Sequence, residues 1–203
     1  MVIVFCLALE SLMEALFVST GVVALAEIGD KTQLLAFILA ARFKKPFPII
    51  AGILVATLVN HGLAGALGAW ITSVVSPDIM RWVLGASFIA MAIWTLIPDK
   101  IEEEETQVAK HLGVFGATLV TFFLAEMGDK TQIATVALAA HYGTPVMVIA
   151  GTTLGMLLAD VPAVFVGNKF AAKIPMKLVH SIAAGIFAAM GLLTLFQVDK
   201  FFI

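Results

Sequence analysis

The sequence predicts an all-α polytopic membrane protein with six transmembrane helices, arranged as two inverted three-helix repeats. Composition is the first ground. Of 203 residues, 61% are hydrophobic and 13% charged, against roughly 25% charged in a soluble domain, and the mean hydropathy is +1.06. Run length is the second. The stretch 47–75 holds no Asp, Glu, Lys or Arg and exceeds the ~20 residues a helix needs to cross the ~30 Å hydrocarbon layer. A membrane barrel would instead show ~10-residue segments of alternating polarity. Duplication is the third. EIGDKTQ at Glu27–Gln33 returns as EMGDKTQ at Glu126–Gln132, 99 residues later. The same offset, without a gap, pairs Pro46 with Pro145, Ile50-Ala51-Gly52 with Ile149-Ala150-Gly151, Leu58 with Leu157, and Met91 with Met190. Agreement over that length marks a tandem repeat.

Taken in order, residues 1–97 form the first repeat, with spans over about 14–41, 46–74 and 79–97. MVIVFCLALE has no basic leader and no small-residue cleavage site, so it reads as the lead-in to the first helix rather than a removable signal. Cys6 is the only cysteine, which excludes an internal disulfide or a redox pair and suggests a core position. Arg42-Phe43-Lys44-Lys45-Pro46 ends the first span and Ser76-Pro77-Asp78 the second, because proline cannot continue a helix and charge collects at its ends. Residues 98–111, with Glu102-Glu103-Glu104-Glu105, form an acidic cytoplasmic linker. The second repeat is 112–203, with spans over about 112–140, 145–168 and 177–197. Trp70, Trp82 and Trp94 fall near span ends, where aromatics anchor the membrane interface. Gly62 to Gly68 (GLAGALG) lies inside an apolar span and reads as close helix packing, not a phosphate loop.

Orientation follows from the basic residues, which are retained on the cytoplasmic side. Arg42, Lys44, Lys45, Lys100, Lys110, Lys169, Lys173 and Lys177 fall in the first, third and fifth loops, against Arg81 and Lys200 opposite. Both termini are therefore expected outside the cytoplasm. Three spans per unit then force the second copy to enter from the opposite side, a recurrent transporter architecture with its site near the midplane. A formal charge of −2 and no basic cluster interleaved with aromatics exclude a nucleic-acid partner.

The chemistry concentrates in the repeated motif. Glu27 and Asp30, three apart and expected on one helix face, are mirrored by Glu126 and Asp129, with Lys31 and Lys130 as charge partners. An ionisable group at mid-membrane costs ~2.5–3.5 kcal/mol on insertion scales, so six of them require mutual pairing or a hydrated cavity. Four carboxylates against two ammonium groups sum to −2, short by one divalent cation. A self-contained ion-pair network would have balanced itself. Gly29 and Gly128 let a neighbouring helix or an ion approach the backbone. Thr32, Gln33, Thr131 and Gln132 add oxygens that serve either as ligands or in interhelical hydrogen bonds. The donors are nearly all oxygen, with no thiolate and no motif histidine, which suits Mn²⁺, Ca²⁺ or Mg²⁺ over zinc or copper. Carboxylates that bind metal when ionised bind protons otherwise, so cation/proton exchange has a chemical basis.

Outside the motif the copies differ, since Asn60 and His61 align with Ala159 and Asp160. Asp160 is a candidate fifth carboxylate or proton acceptor, Asn60 a candidate ligand, and His61 either a proton relay or a hydrogen-bonded core residue. His111 and His141 read as solvated helix-end residues and His180, beside Lys177, as interfacial. No GxSxG, HExxH or Walker pattern occurs, so soluble-type catalysis has no support.

Glu-x-Gly-Asp-Lys-Thr, present once in each half over essentially the whole chain, resembles the hallmark of the GDT1 (UPF0016) family. That resemblance implies a cation/proton antiporter moving Mn²⁺ and Ca²⁺, with Glu27, Asp30, Glu126 and Asp129 as the acidic motif residues. Compared with organellar members, the compact chain implies a multi-pass protein of the bacterial inner membrane and a manganese exporter. The expected partners are the divalent cation as substrate, protons and membrane lipid, with no resident cofactor; pairing of two chains stays open. Two other readings compete: an exporter of another small cation or an amino acid, and an intramembrane aspartyl protease using Asp30 and Asp129 as a dyad. The adjacent lysines and the unused glutamates argue against the protease.

Overall fold

A computed structural model describes residues 2–97, 112–166 and 176–196. Eight helices form among them, and no strand: α1 (Val2–Glu27), α2 (Lys31–Phe43), α3 (Pro46–Val74), α4 (Pro77–Thr95), α5 (Val114–Glu126), α6 (Lys130–Tyr142), α7 (Pro145–Val166) and α8 (Met176–Phe196). Four apolar stretches are long enough to cross a membrane: Leu9–Glu27, Pro46–Val74, Pro77–Thr95 and Pro145–Phe165. The linker 98–111, with Lys100, Lys110 and His111, and also Lys169, Lys173 and Lys200, lie outside the described residues.

The helix ends follow the sequence. Proline opens α3 and α4 at their first turns, where its missing N–H costs nothing. α2 and α6 close on left-handed residues, Lys44 (φ 54°) and Gly143 (φ 64°), whose N–H groups bond the carbonyls of Ala40 and Ala139.

Three expectations are corrected. The spans expected at 14–41 and 112–140 are each two helices, α1 with α2 and α5 with α6, broken inside the motif. Glu27 and Asp30 therefore do not share a helix face; they stand on opposite sides of a break. Cys6 is exposed rather than in the core, since an apolar helix surface in lipid needs no protein cover. His141 is not simply solvated: its ring packs edge-on to Phe88 and Tyr142, at centroid distances of 5.8 and 4.9 Å.

Side chains are partitioned the opposite way from a water-soluble fold. Trp70, Trp82, Val146, Leu158, Phe165 and Phe196 point outward, each more than half exposed. Glu27, Glu126, Asp160, Asn60 and His61 are fully buried. Two apolar clusters flank this polar interior, one drawn from α1, α4, α6, α7 and α8 and the other from α2, α3, α5 and α7. The two copies pack crosswise through matched glycines. At Gly52 of α3, a Cβ would meet Thr118 Cβ at 2.7 Å and the Phe115 carbonyl at 2.9 Å on α5. At Gly151 of α7, it would meet Ser19 Cβ at 2.9 Å and the Leu16 carbonyl at 2.5 Å on α1. All three pairs of positions are 99 apart, so each copy's second long helix grips the other copy's first through the same residues.

The third long helices break this equivalence. α4 and α8 pack on one another and, as a pair, against α1 and α6. Neither makes a comparable contact with α2 or α5 among the described residues.

Candidate metal centre

Each motif is a stop followed by a start. α1 ends at Glu27 and α5 at Glu126; Gly29 and Gly128 then adopt φ of 86° and 75°, a region glycine enters freely and other residues rarely do. Asp30 and Asp129 follow in extended backbone as the N-cap residues of α2 and α6. Two bonds brace each break identically. The Thr32 hydroxyl donates to Glu27 Oε2 at 2.6 Å, and that of Thr131 to Glu126 Oε2 at 2.8 Å. The Gly29 N–H donates to Gln33 Oε1 at 3.0 Å, and that of Gly128 to Gln132 Oε1 at 2.8 Å. The Gln oxygens thus take up a backbone N–H at each break that would otherwise be orphaned, and the Thr hydroxyls hold the Glu carboxylates beside it.

The breaks bring the halves together. Carboxylate oxygens of Glu27, Asp30 and Asp129 lie within 4.8 Å of one another, all buried. Glu126 and Asp160 complete the set: Glu27 lies within electrostatic range of Glu126, Asp30, Asp129 and Asp160. The lysines pair across the repeats. Lys130 Nζ is 2.7 Å from Asp30 Oδ2, with the lysine side chain 1% exposed; Lys31 Nζ is 3.7 Å from Asp129 Oδ1 and 15% exposed.

Five buried carboxylates face two ammonium groups, an excess of three negative charges when all are ionised. Glu27 Oε1, Glu126 Oε1 and both Asp160 oxygens are buried without a hydrogen-bond donor among the described residues. Such oxygens are costly unless a cation or a proton joins them. The N-termini of α2 and α6 also point their positive dipole ends at this layer and offset part of the excess.

The remaining predicted residues take distinct places. Gln33 Nε2 donates to the Ala159 carbonyl at 2.9 Å, tying α2 to α7 beside Asp160. Asn60 Nδ2 donates to the Phe123 carbonyl at 3.1 Å, a carbonyl the helix itself leaves open because the Met127 N–H turns to Leu124 instead. His61 is fully buried, and neither ring nitrogen has a hydrogen-bond partner among the described residues. His180, read as interfacial, has a partner that the sequence did not suggest. Its Nε2 lies 2.9 Å from the Ile28 carbonyl inside the first break, a contact only the fold brings together.

The same duplication organises the comparisons with known proteins. The family model "Divalent cation/proton antiporter GDT1" matches twice, over residues 15–103 and 114–200. The chain belongs to the GDT1 family. A Vibrio cholerae serotype O1 protein named "Putative manganese exporter" is 53% identical over 188 residues, covering 92% of this chain and 93% of that one. "GDT1-like protein 3" of Oryza sativa subsp. indica is 30% identical over 202 residues, covering 87% and 71%. "GDT1-like protein 5" of Arabidopsis thaliana is 26% identical over 222 residues, covering 91% and 96%. No solved structure matches the chain significantly. GDT1 membership makes this a membrane transporter of the cation/proton antiporter family and not an enzyme. The geometry agrees, since Asp30 and Asp129 are each paired with a lysine, the opposite of an aspartyl dyad that shares one proton.

Proposed function

We propose that this chain exports Mn²⁺ from the cytoplasm, with Ca²⁺ as a second cargo, in exchange for H⁺. The ion is held at mid-membrane by Glu27, Asp30, Glu126 and Asp129. The carrying observation is the convergence of Glu27, Asp30 and Asp129 from both repeats within 4.8 Å. An all-carboxylate donor set suits a hard divalent cation, and the name of the Vibrio relative favours manganese among them. α1–α2 and α5–α6 each count as one broken span, so the eight helices form six crossings in two inverted repeats, 1–97 and 112–203, joined by a cytoplasmic linker. Both termini face away from the cytoplasm, in a bacterial inner membrane. Broken helices meeting at the midplane are the usual way such repeats build an ion site.

The charge count gives the exchange its form. A bound divalent ion lowers the excess from three negative charges to one, which the dipole ends of α2 and α6 offset; Asp160 is ionised then and protonated when the ion is absent. With no metal bound, protons take the place of the ion on the same oxygens. Metal binding therefore releases protons, and affinity tightens as pH rises.

Metal uptake into inverted membrane vesicles under an imposed pH gradient tests this directly. Glu27→Gln and Asp129→Asn each should reduce Mn²⁺ flux at least a hundredfold; flux close to wild type in either variant rejects the site. Asp160→Asn should retain metal binding and lower by about one the number of protons released per ion, read from the slope of log Kd against pH. An unchanged slope removes Asp160 from the exchange.

A further inference from the structure

The break in the first repeat leaves the Ile28 carbonyl beyond the end of α1 and short of the α2 ladder, so its partner must come from outside the helix. A carbonyl only accepts; His180 Nε2 at 2.9 Å therefore carries the hydrogen, and α8 is tied to the first break through that bond. The residue 99 positions before His180 is Arg81, near the start of α4, and the residue 99 after Ile28 is Met127. Duplication predicts that Arg81 does for Met127 what His180 does for Ile28. In this structure it does not. Met127 is 56% exposed, Arg81 stacks 5.1 Å over the Trp82 ring, and Arg81 Nε is buried without a hydrogen-bond partner among the described residues. The packing shows the same one-sidedness, because among the described residues the α4–α8 pair lies against α1 and α6 and makes no comparable contact with α2 or α5.

We propose that His180 and Arg81 are positioning residues that hold the α4–α8 pair alternately on the two breaks. His180 bonds the Ile28 carbonyl in the state seen here, and Arg81 bonds the Met127 carbonyl in the opposite state. Exchanging the roles of the repeats converts each contact of one state into its counterpart in the other: α8 on α1 becomes α4 on α5, and α4 on α6 becomes α8 on α2. Both residues are donors whose acceptor is backbone, so the device needs no particular side chain at 28 or 127. The alternation rests on the transporter reading above, but its test involves no metal and no flux.

The full chain carrying Cys6→Ser and Met127→Cys, reconstituted in lipid vesicles, reports the open second break through its rate of reaction with a membrane-impermeant maleimide. His180→Leu removes the donor that stabilises this state and should slow labelling three- to tenfold, the range expected for one hydrogen bond in a two-state balance. His180→Gln keeps an N–H donor and should label at nearly the wild-type rate. Adding Arg81→Leu to His180→Leu removes the opposing donor and should restore labelling toward wild type, which a variant that merely misfolds cannot do. Three results overturn the proposal: no labelling in the starting chain, equal rates in His180→Leu and the starting chain, or a double variant no faster than His180→Leu. Loss of Mn²⁺ flux in Glu27→Gln alongside unchanged labelling in His180→Leu would leave the export reading standing and remove the latch. The converse pattern would keep the latch and remove the cargo.

Discussion

The two repeats share six of the seven motif residues, Glu-x-Gly-Asp-Lys-Thr-Gln, yet they are held differently. In the first copy the Ile28 N–H still bonds the Ala24 carbonyl at 3.2 Å, so α1 keeps its regular pattern up to the break. In the second copy the Met127 N–H turns to Leu124, which orphans the Phe123 carbonyl. Asn60 on α3 fills that gap; its counterpart in the other copy is Ala159, where the equivalent carbonyl already has a donor. The lysines differ in the same sense, one buried and tight on Asp30, the other longer and partly exposed on Asp129. The lesson is that sequence duplication sets the carboxylate chemistry of both halves, while the surrounding side chains brace the two breaks differently.

The largest test of that difference is on the lysines. Removing the ammonium of a buried ion pair leaves an uncompensated charge and costs about 3–5 kcal/mol, and less where the pair is longer and its lysine partly exposed, as with Lys31. Lys130→Met should therefore lower the thermal midpoint of the detergent-solubilised protein far more than Lys31→Met. Added Mn²⁺ at about a hundred times its Kd should return about 2.7 kcal/mol of stability, because the ion can replace the lost ammonium on Asp30. Equal losses in the two variants would break the comparison. No metal rescue in Lys130→Met would show that the ion and Lys130 do not share that carboxylate.

Much of this was legible in the sequence and some of it was not, for identifiable reasons. The repeat, the long apolar helices and the acidic set were readable because hydrophobic run length and a gapless 99-residue offset survive without knowledge of contacts. The helix breaks were hidden by the apolar flanks, which favour one continuous span. The signal was present all the same: glycine followed at once by aspartate is a helix stop next to a helix start, and it occurs at the same place in both copies. The crossed pairing of Lys130 with Asp30 was not legible, since each lysine's sequence neighbour is itself an aspartate. Nor was the place of His180, because nothing in the residues around it marks a partner 152 positions away.

A smaller effect is expected at Asn60. Asn60→Ala leaves the Phe123 carbonyl buried and unpaired, at a cost of about 1–3 kcal/mol, with Mn²⁺ affinity changed less than stability. Thermal unfolding measured beside metal titration separates the two. A variant that unfolds normally but binds Mn²⁺ at least tenfold more weakly would make Asn60 a ligand through its Oδ1, which has no partner among the described residues, rather than a brace.

The smallest effect distinguishes the copies at the far end of the second half-helix. Lys44 and Gly143 occupy matching positions and both close a helix in left-handed backbone, at φ of 54° and 64°. A residue with a Cβ is strained there by about 1–2 kcal/mol, and glycine avoids that at the expense of extra freedom in the unfolded chain, about 0.5–1 kcal/mol. Lys44→Gly should therefore stabilise the protein by about 0.5–1 kcal/mol, and Gly143→Lys should destabilise it by a similar amount, seen as opposite shifts of a few degrees in the thermal midpoint. A loss of stability in Lys44→Gly would mean that the ammonium interacts with the carbonyls of the last turn of α2 strongly enough to outweigh the backbone strain, and the two caps would then differ in electrostatics as well as in shape.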